Sequence, residues 1–160
     1  MLLLVDLTNV SQTELQKLIA FEDAFQRIFN LIKIEGGLAD GGIVVQDCLS
    51  LLANLVRHSS SNQSLFRESG CLHRLLELVK QGSVAAPDET EFARNDREKN
   101  TWGLLSVVRL FLERGEQGTK QNQDAFSKSG LLQVVLKLAF DRNITPPIRT
   151  IVSRSSPLGF

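Results

Sequence analysis

The feature that most constrains the fold of this chain is an internal repeat. Residues 62–79, NQSLFRESGCLHRLLELV, recur as residues 122–139, NQDAFSKSGLLQVVLKLA. The identical positions include Gln63, Phe66, Ser69, Gly70, Leu72, Leu76 and Leu78, which recur as Gln123, Phe126, Ser129, Gly130, Leu132, Leu136 and Leu138. A fainter copy, LQKLIAFEDAFQRIFNLI, occupies residues 15–32. Helical units that recur at about 40 to 60 residues predict an α-solenoid, in which each unit buries its apolar face against its neighbours.

The spacing of apolar residues divides the chain into units of short helix, helix and long helix. The long helices are predicted at residues 43–57 and 101–114. We expect the end of a preceding repeat at 1–10, a repeat at 11–58, a repeat with a polar loop (81–100) at 59–115, a truncated repeat at 116–150 and an irregular tail at 151–160. Three-helix units of about 40 to 47 residues are typical of armadillo proteins. The predicted fold is therefore all-α, a right-handed armadillo-like superhelix that is truncated at both ends.

Three details of this arrangement can be checked in a structure. Phe66 and Phe126 should occupy equivalent buried positions, and so should Leu76 and Leu136. The polar interval 81–100, with its many charges, should be a surface excursion that is partly helical after Asp88. Residues 88–100 should be solvent-exposed with few contacts to the helical stack, so that deleting them changes stability little. Asp23 should cap the helix that follows it.

Composition favours a soluble globular domain and excludes several function classes. The chain has 18 basic and 18 acidic residues and a formal net charge of zero. Nucleic acids and anionic membranes select a basic excess, so neither is predicted as a partner. Cys48 and Cys71 lie in apolar surroundings without metal-type spacing, which predicts buried, reduced thiols and fits the cytosol. The sequence contains no apolar run near the roughly 18 residues of a membrane span.

The sequence offers no catalytic, cofactor-binding or metal-ligating set. The glycine-rich stretch 36–42, GGLADGG, lacks the lysine and hydroxyl residue of a phosphate-binding loop, so it is interpreted as a turn between helices. His58 and His73 are predicted on the surface, without a carboxylate or cysteine at ligand spacing. We therefore predict a non-enzymatic protein without a cofactor.

Residues 20–70 resemble a known family. The resemblance is carried by FEDAF at 21–25, by EGG at 35–37 followed by DGGIVVQDCL at 40–49, and by SNQSLFRE at 61–68. This stretch is similar to the armadillo-type head of the general vesicular transport factors, golgins that tether vesicles between the endoplasmic reticulum and the Golgi apparatus. The similarity continues more loosely to about residue 150, and residues 94–119 have a fungal character.

The resemblance implies a protein-binding module that docks vesicles before membrane fusion. Its implied partners are Rab-family GTPases, SNARE proteins, other golgins and tethering complexes, and its implied location is the cytoplasm, peripheral on Golgi membranes and transport vesicles. Full-length members of the family are homodimers with a long coiled coil and an acidic tail, whereas heptads are absent from these 160 residues. The alternative function is an armadillo adaptor or scaffold in another trafficking or transport role.

One candidate binding surface follows from the armadillo resemblance. Armadillo proteins line a concave groove with the third helix of each unit, often with an asparagine in the pattern L-x-N-L, which Leu52 to Leu55 resembles. The candidate groove residues are Gln46, Ser50, Asn54 and Arg57. An ordinary solvated helix face is the competing interpretation, since residues 101–114 contain no asparagine.

The two ends of the chain are expected to expose apolar surface. Residues 2–7 have no earlier helix to cover them, and residues 131–140 are not followed by a long third helix. Solenoids normally end in units with a polar outer face, and large exposed apolar patches promote association. We therefore predict that the isolated chain self-associates and binds a hydrophobic dye, which light scattering and dye fluorescence would show.

Overall fold

The computed structural model describes residues 5–6, 8, 13–82, 88–115 and 117–140, and over these residues the regular elements are α-helices. They are α1 (Thr13–Phe21), α2 (Ala24–Ile34), α3 (Gly37–Asp40), α4 (Ile43–Val56), α5 (Ser60–Glu68), α6 (Cys71–Gly82), α7 (Glu91–Leu112), α8 (Thr119–Lys128) and α9 (Leu131–Phe140). None of the helices in the described part is long and apolar enough to cross a bilayer. The predicted tail at 151–160 and the first four residues lie outside the described residues.

The helices stack as successive units, so the predicted armadillo-like α-solenoid is confirmed. The short helix α5 and the helix α6 pack on α1 and α2 of the unit before them, and the long helix α7 packs on α4, α3 and α6. The pair α8 and α9 then continues the stack on α7 and α6. The proposed boundaries of the repeats stay a prediction.

A row of phenylalanines joins the units through the core. The Phe66 ring lies edge-on to Phe25, with centroids 5.2 Å apart, and its centroid is 4.9 Å from that of Phe111. Phe111 in turn lies 5.4 Å from Phe126. Aromatic pairs at these distances contribute beyond the area they bury. Because the four rings come from α2, α5, α7 and α8, this row holds consecutive units to one another.

The predicted equivalence of the two clearest copies is confirmed at its phenylalanines. Phe66 and Phe126 are both fully buried, at 0% exposure. Leu76 is buried as well, whereas Leu136 is half-buried. The repeat therefore positions the same aromatic ring in the core of successive units.

Buried amide side chains close the C-terminal end of α4. The last carbonyls of a helix have no partner within it and need a donor from elsewhere. Asn62 Nδ2 donates to the Leu55 carbonyl at 2.7 Å, and Gln63 Nε2 donates to the Val56 carbonyl at 2.9 Å. Both donors sit on α5, so the first helix of the second unit caps the long helix of the first.

An equivalent side-chain amide caps the C-terminal end of α7. Asn122 of α8 occupies the repeat position of Asn62, and its Nδ2 donates to the Phe111 carbonyl at 2.8 Å. It also donates to Gln63 Oε1 at 2.7 Å, while Arg67 donates to Asn122 Oδ1. Two successive caps are thus hydrogen-bonded to each other across the boundary between units.

The glycine-rich stretch 36–42 forms a compact corner that includes the one-turn helix α3. Gly36 and Gly37 adopt φ values of 97° and 68°, which side chains disfavour. A Cβ on Gly41 would lie 2.3 Å from the Gly37 carbonyl oxygen and 2.4 Å from Val45 Cγ2, so this position admits no side chain. The interpretation of this stretch as a turn between helices agrees with this geometry.

The polar interval is helical after Asp88, as the sequence allowed, but the prediction that it makes few contacts with the helical stack was wrong. This segment forms the first turns of α7, whose N-terminus is capped by Thr90 Oγ1 accepting from the Ala93 amide at 3.1 Å. Arg97 makes two hydrogen bonds of 2.6 and 2.9 Å to the Glu89 carboxylate. At the end of the interval, Asn100 is fully buried. Charge density concealed the packing of this segment because only the inner face of the helix is covered. Residues 83–87 lie outside the described residues.

Asn100 links α7 to the glycine-rich corner at residues 36–42 by hydrogen bonds. Its Nδ2 donates to the Leu38 carbonyl at 3.2 Å and to the Gly41 carbonyl at 2.7 Å. Its Oδ1 accepts no hydrogen bond from the described residues, so the side chain acts as a donor only. Deleting residues 88–100 would therefore remove packed structure, contrary to the expectation of a dispensable loop.

The predicted cap at Asp23 was also wrong. Asp23 precedes α2 in the left-handed conformation, with φ 56°, and its side chain makes no capping hydrogen bond. The tight connection between α1 and α2 sets this backbone conformation, which is not the extended one that a side-chain cap requires.

We predict that Phe66→Ala lowers the free energy of unfolding by about 3 to 5 kcal/mol, because it removes a fully buried ring. Phe92→Ala is the matched control, since Phe92 is 75% exposed on α7 and should cost less than about 0.5 kcal/mol. Denaturant titration measures both. A loss below about 1 kcal/mol for Phe66→Ala would contradict the position of this ring at the centre of the core.

We predict that Asn100→Asp lowers the free energy of unfolding by at least about 3 kcal/mol at neutral pH, since a buried carboxylate would face two carbonyl oxygens. Burial would raise the pKa of the new carboxyl above its unfolded value, so the loss should shrink as the pH falls. Asn95→Asp, on the exposed side of the same helix, is the control and should change stability little. Equal effects of the two variants would refute the packing of Asn100.

Candidate protein-binding surface

The four predicted groove residues all lie on or just after α4, but they do not form one exposed face. Ser50 and Arg57 are exposed, Gln46 is half-buried and Asn54 is buried at 6% exposure. Ser50 Oγ donates to the Gln46 carbonyl at 2.9 Å, so Gln46 and Ser50 lie on the same turn of the helix. Gln46, Ser50 and Arg57 remain available at the surface.

Asn54 is engaged within the chain. Its Nδ2 donates to the Val5 carbonyl at 3.1 Å and to Thr8 Oγ1 at 3.3 Å, and its own carbonyl accepts from Gln16 Nε2 at 3.0 Å. The asparagine of the L-x-N-L pattern therefore holds the segment around Val5 and Thr8 against α4. In this structure it stabilises the contact between neighbouring segments and is not an exposed member of a groove.

Equivalent hydrogen bonds in α4 and α7 show which residues of the two helices correspond. The Phe111 carbonyl accepts from Asn122 as the Leu55 carbonyl accepts from Asn62. At the same separation, Ser106 Oγ donates to the Trp102 carbonyl at 2.9 Å, as Ser50 does to Gln46. Trp102 is therefore the counterpart of Gln46, and Leu110 is the counterpart of Asn54.

Trp102 is the surface residue that the sequence analysis missed. The helical period predicts Trp102 on the apolar face of its helix together with Leu105 and Val108, yet it is 49% exposed while those two are buried. The sequence does indicate this correspondence, because a Leu-Ser pair recurs at 49–50 and 105–106. Aligning the two helices on this pair matches Trp102 with Gln46, which was predicted at the surface. The helical period alone does not show whether a residue at the edge of the apolar face is buried or exposed.

An exposed stripe runs along the length of α7. Its members, spaced by three or four residues, are Phe92, Asn95, Lys99 and Trp102, and the half-buried Ser106 continues it. Phe92 and Trp102 are exposed aromatics, and Ile43 at the start of α4 is 66% exposed. Exposed aromatic side chains with polar neighbours are typical of surfaces that bind other proteins.

The His, Cys and acidic side chains of the described residues do not converge on a metal site. No group of three or more His, Cys, Asp or Glu side chains among them could hold a metal ion. His58 and His73 are exposed, as predicted. Cys48 and Cys71 are free and buried, which agrees with the predicted reduced thiols. Burial, reinforced by Asp47, raises the pKa of the Cys48 thiol to about 11, and burial likewise raises the pKa of Cys71.

We predict that both thiols react slowly with iodoacetamide in the native protein at pH 8, because the thiolate is the nucleophile and a raised pKa keeps the thiol protonated. Reaction at Cys48 should accelerate as the pH approaches 11. Mass spectrometry of the alkylated protein measures this, with the chain unfolded in guanidinium as the fast control. Native labelling as fast as that of the unfolded chain would contradict the burial of these groups.

Comparison with known proteins gives extended similarity to one set of transport proteins. The chain is 41% identical over 150 residues to the intracellular protein transport protein USO1 of Saccharomyces cerevisiae, covering 94% of this chain and 8% of that protein. It is 34% identical over 151 residues to the human general vesicular transport factor p115, covering 93% of this chain and 15% of that protein. No protein-family model matches the chain.

A solved structure shares the fold as well as the sequence. The crystal structure of Uso1-1 superposes with a TM-score of 0.85 at 40% sequence identity, covering 96% of this chain and 23% of that chain. The higher identity to the yeast protein than to the human one agrees with the fungal character of the sequence. The chain spans only a small part of the length of the curated relatives it matches.

Proposed function

We infer that this chain, a member of the general vesicular transport factor family, contributes a protein-binding surface to a tether acting between the endoplasmic reticulum and the Golgi apparatus. The premise is sequence identity to USO1 and p115 along nearly all of the chain, with the same fold as Uso1. The family resemblance noted over residues 20–70 is thereby confirmed. The names of both relatives describe protein or vesicle transport, and we extend that role to this chain.

The observation that carries the proposal is the exposed pair of long helices. α4 and α7 present Ile43, Gln46, Ser50, Arg57 and Trp102 at the surface, with Ser106 and Arg109 half-buried beside them. Tryptophan and arginine dominate the binding energy of protein interfaces more than other residues do. The proposed binding surface therefore has Trp102 at its centre, and it uses three of the four groove residues expected from the sequence, without Asn54.

The proposed partners are the proteins that recruit and dock vesicles: Rab-family GTPases, SNARE proteins, golgins and tethering complexes. The proposed location is the cytoplasmic side of Golgi membranes and transport vesicles, reached through these partners. The proposed role is binding without catalysis, and it involves no cofactor.

We predict that a chimera of S. cerevisiae USO1, in which this chain replaces the matched 150 residues, supports growth and transport of secretory cargo to the Golgi apparatus. Within the chimera, Trp102→Ala should weaken capture of a partner by about tenfold or more, since exposed aromatic anchors contribute at that level. Leu18→Ala is the matched control, because Leu18 is also an exposed apolar residue but lies on α1. Circular dichroism verifies that both variants fold.

A folded, normally expressed chimera that fails to transport cargo would overturn the proposed function. A chimera that transports cargo equally well with and without Trp102 would overturn only the assigned surface. Affinity capture from cytosol, followed by mass spectrometry, addresses the alternative. Capture of importins or cytoskeletal proteins without Rab, SNARE or Golgi-tether proteins would favour an armadillo adaptor of another role.

A further inference from the structure

A cavity of about 540 Å³ lies between α2, α3 and α6. Phe29 and Leu78, which keep 4% and 7% of their surface exposed, provide its apolar lining together with Ala39. Lys33, Arg74 and Glu77 bring charge to it. Its volume lies within the range of about 300 to 1,000 Å³ that is usual for ligand sites. None of its lining residues belongs to α4 or α7, so it is separate from the binding surface proposed above.

The arginine of this cavity is held in one orientation. Arg74 Nη1 donates to the Gln26 carbonyl at 3.1 Å, and Nη2 donates to Asn30 Oδ1 at 2.7 Å. Its Cζ lies 5.8 Å from the centroid of the Phe29 ring, which is the geometry of a cation–π contact. A guanidinium has five N–H donors, so the anchored group retains donors for a ligand.

The charges around the cavity leave a positive excess. Lys33, in the last turn of α2, is exposed and has no carboxylate within ion-pair distance among the described residues. The one carboxylate in the lining, Glu77, pairs with Lys80 at 3.0 Å. Lys33 and Arg74 outnumber this one carboxylate, so an incoming anion meets a net positive charge. His73 adds a further side chain that can donate a hydrogen bond.

We propose that this cavity binds an extended peptide segment of a partner protein, in which a hydrophobic side chain stands beside a carboxylate. The hydrophobic side chain would lie against Phe29 and Leu78, and the carboxylate would pair with Lys33 and Arg74. Arginine and carboxylate form strong, directional hydrogen bonds, and an apolar lining with a few fixed polar groups is the usual composition of a selective site. A simple inorganic anion would leave the apolar lining unfilled.

The test measures fluorescence anisotropy of labelled peptide pools with the full 160-residue chain. One pool carries Leu, Ile or Phe followed by Asp or Glu at the centre of a degenerate peptide of about eight residues, and the second carries Lys or Arg instead of the acid. We expect the acidic pool to bind at least about tenfold more tightly than the basic pool. Lys33→Glu should remove most of this preference, and Ala39→Leu, which fills the cavity, should weaken binding of the acidic pool.

Lys120→Glu is the matched control, because it makes the same charge change at an exposed position on α8. It should leave binding unchanged, and since Lys33 is also exposed, neither variant should unfold the chain. The proposal is overturned if the two pools bind equally, if neither binds, or if Lys120→Glu weakens binding as much as Lys33→Glu. Binding to anionic phosphatidylserine vesicles with none to the acidic pool would also overturn it, in favour of a lipid ligand.

Discussion

The structure depends on one recurring hydrogen bond, from a buried side-chain amide to the last carbonyls of the preceding long helix. Asn62 makes it at α4 and Asn122 makes it at α7. Every helix ends with carbonyls that must find donors, and Leu55 and Val56 at the end of α4 and Phe111 at the end of α7 are fully buried, where water cannot serve. An unsatisfied buried carbonyl costs about 1 to 3 kcal/mol, so the position of the amide decides where the next unit begins. The bond from Asn122 to Gln63 then links one cap to the next.

The row of phenylalanines contributes buried apolar surface, which the hydrogen-bonding amides do not. Phe66 contacts Phe25 and Phe111, and Phe111 contacts Phe126, so rings from successive units share one core. Hydrophobic packing is not directional, and alone it would allow one unit to slide against another. Hydrogen bonds are directional and fix the relative position of the units. The recurrence of Asn-Gln at 62–63 and 122–123, four and three residues before the repeated phenylalanines, keeps the two interactions in register.

Local pattern predicted the helices and the core because both depend on apolar residues at helical spacing, as at Phe66 and Phe126. It failed where a polar residue serves a distant backbone. A helix was expected from residue 101 onward. The burial of Asn100, which lies within the same helix, depends on the carbonyls of Leu38 and Gly41, some 60 residues earlier. No local period encodes such a bond, and the charged residues before Asn100 indicated an exposed segment with few contacts. The candidate surface shows the same division: the long helix with Gln46 and Ser50 was predictable, whereas the burial of Asn54 against Val5 and Thr8 was not.

The division between structural and exposed positions also bears on how such a stack diversifies its binding surface. Positions that hold neighbouring units together are constrained, since Asn62 and Asn122 must reach a carbonyl and Phe66 and Phe126 must fill the core. Gln46 and Trp102 are counterparts in successive long helices, yet one is a polar amide and the other is a large aromatic ring. Trp102 is exposed and Gln46 is half-buried, and neither belongs to the caps or the aromatic row, so a change at these positions alters the surface without disturbing either. Selectivity for a partner can therefore reside in these outward positions while the architecture beneath them stays the same.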